Sequence, residues 1–445
     1  MSIELIAEAQ NPWWRTPGQG NPAARFPVRR DAQPRIVKHV LGFDERRALV
    51  IHGPRQVGKT VLLLQTVEDL LVEGWPAANI TYFDFSDDRL PGAPISPRAI
   101  TELSSIGLLK DRPRVFLFDE ISRAERWADW LKQAVDSGVG RFILTDSAAS
   151  LIRDQSHESG MGRWDEISME GLSFSEFLRL QRPGESMENL LKLLPNPAER
   201  YLAAGGFPEH ATSTIYEDVR RRLRADIVDR AIMRDLASLG VDAVQARSLF
   251  VYLVQASGSI FDAAARGREV NADPRSIRNW CRLLEDAKLV AALPRRTSYA
   301  AARLRSKPKI YAADHGVVTA FAPLPDPLQD PHLRGAVFEA VVFRHLREAA
   351  RRLNGELSYF RERERLEIDF IVELTKSATA VEVTGSSDVV PKLTGLQTAA
   401  KAAKVDRKLL VHGGAERRER NGIYTIPLPY FLLNTDACLK GEIAL

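Results

Sequence analysis

The sequence predicts an α/β protein: a parallel sheet covered by helices, then a mostly helical middle, then a second, smaller α/β unit. Three observations predict it. Between residues 47 and 146, four short apolar runs alternate with segments of helical periodicity. The first run stops at a glycine-rich loop that opens directly into a helix. After about residue 172 the strand signals give way to helical ones, and they return only after 333.

A chain of 445 residues is too long for one domain, and roughly two to four are expected. The formal charge of +4 excludes a polycation, so a nucleic-acid surface would have to be a local patch. Cys281 and Cys438 are far apart and lack metal-ligand spacing, which argues against a zinc cluster or a disulfide framework. No apolar run reaches the eighteen or so residues of a membrane span. The opening MSIELIAEAQNPWW lacks the basic-then-apolar order of a signal peptide. The expected compartment is therefore the cytoplasm, with no membrane partner.

In chain order, residues 1–30 read as an extended lead-in, because 11–30 hold four prolines. A nucleotide-binding domain is assigned to 31–180. In it RALVIH, NITYFDF, VFLFDE and RFILTD are the strands, and TVLLLQTVEDLL and ERWADWLKQAVDSG are helices. A helical lid or linker follows at 181–245, then a small helical module with a basic segment at 246–322. PLPDPLQDP supplies a proline-rich linker at 323–332. Residues 333–445 read helix, three strands, helix, strand.

GPRQVGKT, 53–60, fits G-x-x-x-x-G-K-[ST] and lies between a strand and a helix, as that motif requires. Gly53, Pro54, Arg55, Gln56, Val57 and Gly58 would wrap phosphates with backbone N–H groups, and Val61 would follow in the helix. Lys59 would reach the β and γ phosphates, and the Thr60 hydroxyl would ligate Mg²⁺. VFLFDE ends an apolar strand on Asp119 and Glu120. Acids at the carboxyl end of a parallel strand stand where such sheets bind ligands. Asp119 would hold Mg²⁺ through water and Glu120 would orient or deprotonate the attacking water, so ATP and Mg²⁺ are the expected cofactors.

With these motifs in place the chain resembles the AAA+ ATPases of a widespread prokaryotic family, fused to a C-terminal domain of uncharacterised role. NPWW, FLFDEIS, ERWADWLK, TDSAAS, GRWDEISMEGLSFSEFL, YLAAGGFPE, KPKIYAADHGV and EIDFIVEL…AVEVTG carry the resemblance by their order and spacing. It implies a γ-phosphate sensor at Thr145 or Ser147, although the family usually has glycine where this chain has Asp146. It implies that Arg163 touches the γ-phosphate, in its own subunit or in a neighbour of a homo-oligomer. The alternative for Arg163 is a surface salt bridge. GGFPE, 205–209, is expected to be a structural turn packed against the nucleotide domain.

ADPRSIRNWCRLLEDAKLV, 272–290, puts apolar residues on one helical face and Arg275, Arg278, Asn279 and Arg282 on others. The stretch after it holds Arg295, Arg296, Arg303, Arg305, Lys307 and Lys309 and no acid. A helix followed by a basic hairpin is the plan of a winged helix, with double-stranded DNA as a candidate partner. The alternative is a lid or an oligomer contact. The C-terminal order resembles the restriction-endonuclease-like fold, with Glu339, Asp369 and Glu382 as its acids. There the family's E-x-K reads Glu382-Val383-Thr384, and Lys376 or Lys392 are the lysines near enough to substitute. His52, His157 and His315 lack partners at catalytic spacing. The function expected is an ATP-driven switch or motor acting on DNA. The alternatives are a nucleotide-gated scaffold for a protein partner, or an ATP-regulated nuclease, which the missing lysine disfavours.

Overall fold

The computed structural model describes residues 2–443 except 16–22, 43–46, 91, 93, 104–111, 148–161, 228–230, 234–241, 298–301, 303–305 and 363–365. The chain divides into two compact units, Met1–Glu170 and Gly171–Leu445.

The first unit is built on five parallel strands: β1 (Ala48–Gly53), β2 (Ile80–Asp84), β3 (Val115–Asp119), β4 (Arg141–Ser147) and β5 (Trp164–Ser168), in the order β2-β3-β4-β1-β5. Their near-continuous apolar runs are what a sheet buried on both faces demands, and every residue of β3 is buried. Helix α1 is Ile3–Gln10, α2 is Lys59–Val72 and α3 is Trp127–Asp136. On one face Phe116 stacks on Phe142 at 5.2 Å, and Trp130 of α3 meets Phe142 edge-on at the same distance. The strand β5 carries too few apolar residues to be read as a strand from sequence.

Within the lead-in, residues 3–10 form α1, and the residues directly after it cover the outer edge of β2. Asn11 accepts from the Tyr82 N–H and donates to the Tyr82 carbonyl, both at 2.7 Å. The indole N–H groups of Trp13 and Trp14 donate to the Ile80 carbonyl at 3.0 and 2.7 Å. Gln10 accepts from the Asp84 N–H at 2.9 Å. An exposed edge is a template for unwanted pairing, and here side chains take the place of a sixth strand.

In the second unit, helices α4 (Pro197–Ala204), α5 (Pro208–Ala211) and α6 (Tyr216–Ala225) precede a small module. That module comprises α7 (Ala243–Gln255), α8 (Ala263–Val270), α9 (Pro274–Asp286) and a three-stranded antiparallel sheet, β6 (Ser259–Ile260), β8 (Lys309–Ala312) and β7 (Val290–Leu293). After α10 (His315–Phe321) and α11 (Pro331–Arg352) come β9 (Glu356–Glu362), β10 (Leu366–Leu374), β11 (Ser377–Thr384), α12 (Val390–Ala403) and β12 (Arg407–His412). Two strands not expected from sequence, β13 (Arg418–Arg420) and β14 (Ile423–Pro427), complete a six-stranded sheet in the order β13-β14-β12-β11-β10-β9. The proline-rich stretch is no loose spacer: Asp330 caps α11 by accepting from the Leu333 N–H at 2.8 Å, with Pro331 in its first turn. The small sheet joins the large one through backbone bonds between Pro294, Arg296 and Tyr359 of β9.

GGFPE is a structural turn whose described contacts lie within this second unit. The Gly206 N–H donates to both carboxylate oxygens of Asp314 at 3.1 Å. A Cβ on Gly205 would sit 2.8 Å from the Cα of Gly316, so close packing requires glycine there. Asp314 also lies 3.5 Å from the guanidinium of Arg344, which is buried on α11.

Candidate active site

The glycine-rich loop leaves the carboxyl end of β1. A Cβ on Gly53 would fall 2.2 Å from the Met169 carbonyl, so only glycine lets the chain turn there. Gln56 and Gly58 have φ of 64° and 96°, the left-handed turns that bend successive N–H groups into one concavity. Gly58 then caps α2, whose first residues are Lys59 and Thr60. Lys59 is buried and donates to the carbonyls of Gly53 and Pro54 at 3.1 and 2.8 Å. Burial pulls its pKa down, and Glu120, Asp119 and Asp146 work against that pull. Arg30, from the segment before β1, braces the loop by donating to the Val57 carbonyl at 2.7 Å.

β4 lies between β1 and β3. With strands about 4.8 Å apart, the acid strand stands roughly 10 Å from the loop strand, which leaves room for phosphates and a hydrated ion. Asp119 is buried at the end of β3, and Glu120 follows with φ of 50°. Burial raises the Glu120 pKa, Lys59 lowers it and Asp119 raises it again. The Thr145 hydroxyl donates to Asp119 Oδ1, and the Tyr82 hydroxyl donates to Asp119 Oδ2 at 3.3 Å. Both oxygens are thereby oriented. Asp146 accepts from the N–H and the hydroxyl of Ser122, each at 3.0 Å, and so fixes the turn after Glu120. The Ser147 side chain and His157 lie outside the described residues. The oxygen donors of Thr60 and Asp119 suit Mg²⁺, and the Thr60 side chain is exposed at the start of α2.

Arg163 does not join this site. β5 runs parallel to β1 with Trp164 opposite Ala48, so Arg163 stands beside the start of β1. The loop leaves the other end, about 17 Å away at 3.3 Å per residue. Arg163 instead makes a two-pronged contact with Asp136 at 3.0 Å. His52 lies on β1, 3.9 Å from Glu166. His315 Nε2 donates to the Tyr201 carbonyl at 2.8 Å, and burial lowers its pKa to about 4.

In the second unit, Glu339 on α11 and Asp369 on β10 flank a lysine, and Glu382 on β11 adjoins Asp369, whose N–H donates to it at 3.4 Å. That lysine is Lys309, buried on β8. Its ammonium lies 2.7 Å from Glu367, 3.7 Å from Asp369 and 3.7 Å from Glu339. Burial works against its charge, but Asp369, Glu339 and Glu367 more than offset this and its pKa rises. Tyr311, two residues on and on the same strand face, donates to Glu339 at 2.6 Å. Lys392 donates to Glu382 at 2.6 Å, whereas Lys376 is exposed in the β10–β11 turn. Burial first and Asp369 second push the Glu339 pKa up to about 8 and that of Glu382 up to about 7. Sequence reasoning missed Lys309 and Glu367. The signal was the alternation in KPKIYA, which puts Lys309 and Tyr311 on one face.

The basic segment is largely committed inside the protein. Arg295 donates to the Arg361 carbonyl, Arg296 pairs with Glu373 at 2.8 Å, and Lys307 pairs with Asp262 at 2.6 Å. Arg303 and Arg305 lie outside the described residues. On α9, Arg275, Arg278 and Asn279 are exposed while Ile277, Cys281 and Leu284 are buried, the face division that the sequence predicts.

No helix among the described residues is long and apolar enough to cross a membrane. Residues 45–178 match the family model of an AAA domain. Residues 196–328 and 334–431 match two domains of unknown function, DUF8612 and DUF4143. An uncharacterised protein of Mycobacterium tuberculosis is 26% identical over 397 residues, 87% of this chain and 81% of that protein. One from Methanocaldococcus jannaschii is 26% identical over 337 residues, 73% of this chain and 71% of that protein. Among solved structures, the Aeropyrum pernix ORC1 protein in complex with DNA is similar at a TM-score of 0.30 and 12% identity, over 69% of this chain and 94% of that one. Thermotoga maritima RuvB is similar at 0.28 and 14%, over 63% and 92%. Scores of this size describe partial overlap and say nothing about substrate. With the loop, the acid strand and the family match together, the stretch 45–178 is a P-loop AAA domain, of a kind that binds nucleotide.

Proposed function

We propose that this chain hydrolyses ATP and uses the cycle as a switch or motor acting on DNA. The observation that carries the ATPase reading is the convergence of Lys59, Asp119 and Glu120 at the carboxyl ends of parallel strands, with Asp119 already oriented by Thr145 and Tyr82. Phosphate oxygens would replace the Gly53 and Pro54 carbonyls as the partners of Lys59. The loop N–H groups would take the remaining phosphate charge. Thr60 and Asp119 would hold Mg²⁺, which neutralises charge on the transferred phosphoryl group. Glu120 would orient the attacking water, and the turn that follows it is kept in place by Asp146 and Ser122.

DNA enters through the exposed face of α9, where Arg275 and Arg278 stand. The hairpin arginines Arg295 and Arg296 are occupied by the large sheet, which favours a second reading in which the module is a protein-contact element of a nucleotide-gated scaffold. A metal-dependent nuclease is disfavoured by Lys309, which sits among Glu339, Glu367 and Asp369 where its ions would bind, although Lys392 beside Glu382 stands in for the missing E-x-K lysine. Turnover of ATP measured with and without duplex DNA separates the first two readings. DNA stimulation supports the first, and indifference to DNA supports the second.

A further inference from the structure

We propose that Glu209, His210 and Asp226 form a divalent-metal site, of the kind filled by zinc or manganese, that clasps α5 to the end of α6. One ligand atom from each residue lies within 4.8 Å of the other two. Glu209 and His210 are neighbours on the one-turn helix α5, and Asp226 is the residue that closes α6. The backbone at 226 and 227 is π-helical, a widened turn that recurs at functional positions.

A pair of surface acids would not by itself mark a site. The distinguishing observation is His210: its residue is 1% exposed, and its Nε2 is buried without a hydrogen-bond partner. Other buried polar atoms share this state, but among the described residues His210 is the histidine that stands in a group of three possible metal ligands. One imidazole and two carboxylates make a mixed nitrogen and oxygen set. That set suits Zn²⁺ or Mn²⁺ better than Mg²⁺ or Ca²⁺, which favour oxygen alone. Bonds of about 2.0–2.2 Å bring such ligand atoms a little closer together than they stand here. Glu209 is exposed and supplies both the adjustment and the entry path. Three protein ligands would leave positions open to water.

The surrounding charges are consistent with a cation. Glu209, Asp226 and Asp314 draw positive charge toward His210, and Arg222 opposes them. The Arg222 guanidinium lies 3.9 Å from Glu209 and is half-exposed, so it can swing away when an ion enters. The packing of Gly205 and Gly206 on Asp314 and Gly316 sets where α5 begins, and so places Glu209 and His210. The GGFPEH run thus has two halves: glycines that pack and a pair that ligates.

The test uses the full chain, chelator-treated and free of nucleotide. Zn²⁺ is titrated by calorimetry, and Co²⁺ is followed by its visible absorption. One equivalent is expected to bind, with Glu209→Gln and Asp226→Asn each weakening affinity at least tenfold. Arg222→Gln is expected to tighten it. The two carboxylate variants alter exposed or half-buried side chains, so circular dichroism should remain that of the parent. Saturable binding that both variants leave unchanged would overturn the proposal, as would a parent chain that binds neither ion in the micromolar range.

Discussion

Thr145 shows what one hydroxyl can do at this site. It donates to Asp119 from the strand between the loop and the acid. Thr145→Val keeps the shape and removes the bond, so turnover is expected to fall about 10–100-fold, the usual effect of losing a group that orients a metal-holding carboxylate. The KM for ATP should change little, and a changed KM with unchanged kcat would point to direct nucleotide contact instead. Lys59→Ala should lose nucleotide binding, which equilibrium binding of a fluorescent ATP analogue reads directly. Arg163 gives the converse case. It stands at the far end of β1 from the loop, so Arg163→Ala should leave the turnover of a dilute monomer unchanged. A loss at that dilution would contradict the placement.

At the scale of elements, the β2 edge and the Lys309 cluster are open to direct tests. Asn11→Ala removes both bonds to Tyr82 and leaves buried backbone groups unpaired. Urea unfolding should show a loss of about 1–3 kcal/mol. In the cluster, Glu339 and Glu382 have pKa values raised to about 8 and about 7 from about 4.5. An acid with a raised folded pKa keeps a proton that the unfolded chain has released. Its contribution is therefore fully present below about pH 4.5 and is lost as the pH rises through 7 to 8. Stability of the second unit should fall across that window, and Glu339→Gln should flatten the slope. An unchanged slope would mean that Glu339 does not hold a proton there. Much of this was legible beforehand. The first four strands, the loop and the Asp119-Glu120 pair announce themselves by apolar runs and a spaced motif. The three C-terminal acids were also placed, each on its element. Lys309 was not, because it reaches them from a different sheet and no local pattern records that meeting. The β2 edge was missed for the same reason: Asn11, Trp13 and Trp14 bond partners about 70 residues away.

For the molecule as a whole, the ATPase unit is the better-marked half and the DNA reading rests on α9. Arg275→Ala with Arg278→Ala should lower the salt dependence of duplex binding by about 0.9 in slope for each phosphate that is no longer neutralised. A slope that does not move would favour the protein-partner reading, which the internal engagement of Arg295 and Arg296 already keeps in play. Charge explains why sequence overestimated the hairpin: its basic residues are visible in order, but the acids and carbonyls that occupy them come from 262, 361 and 373.

The proposed function turns on Glu120 driving ATP hydrolysis that DNA stimulates. The decisive measurement is steady-state turnover of the parent chain beside Glu120→Gln, each with and without duplex DNA at moderate salt. Turnover should rise with DNA in the parent, and the variant should bind ATP tightly without turning it over. Near-normal turnover in Glu120→Gln, or a parent rate indifferent to DNA, would refute it.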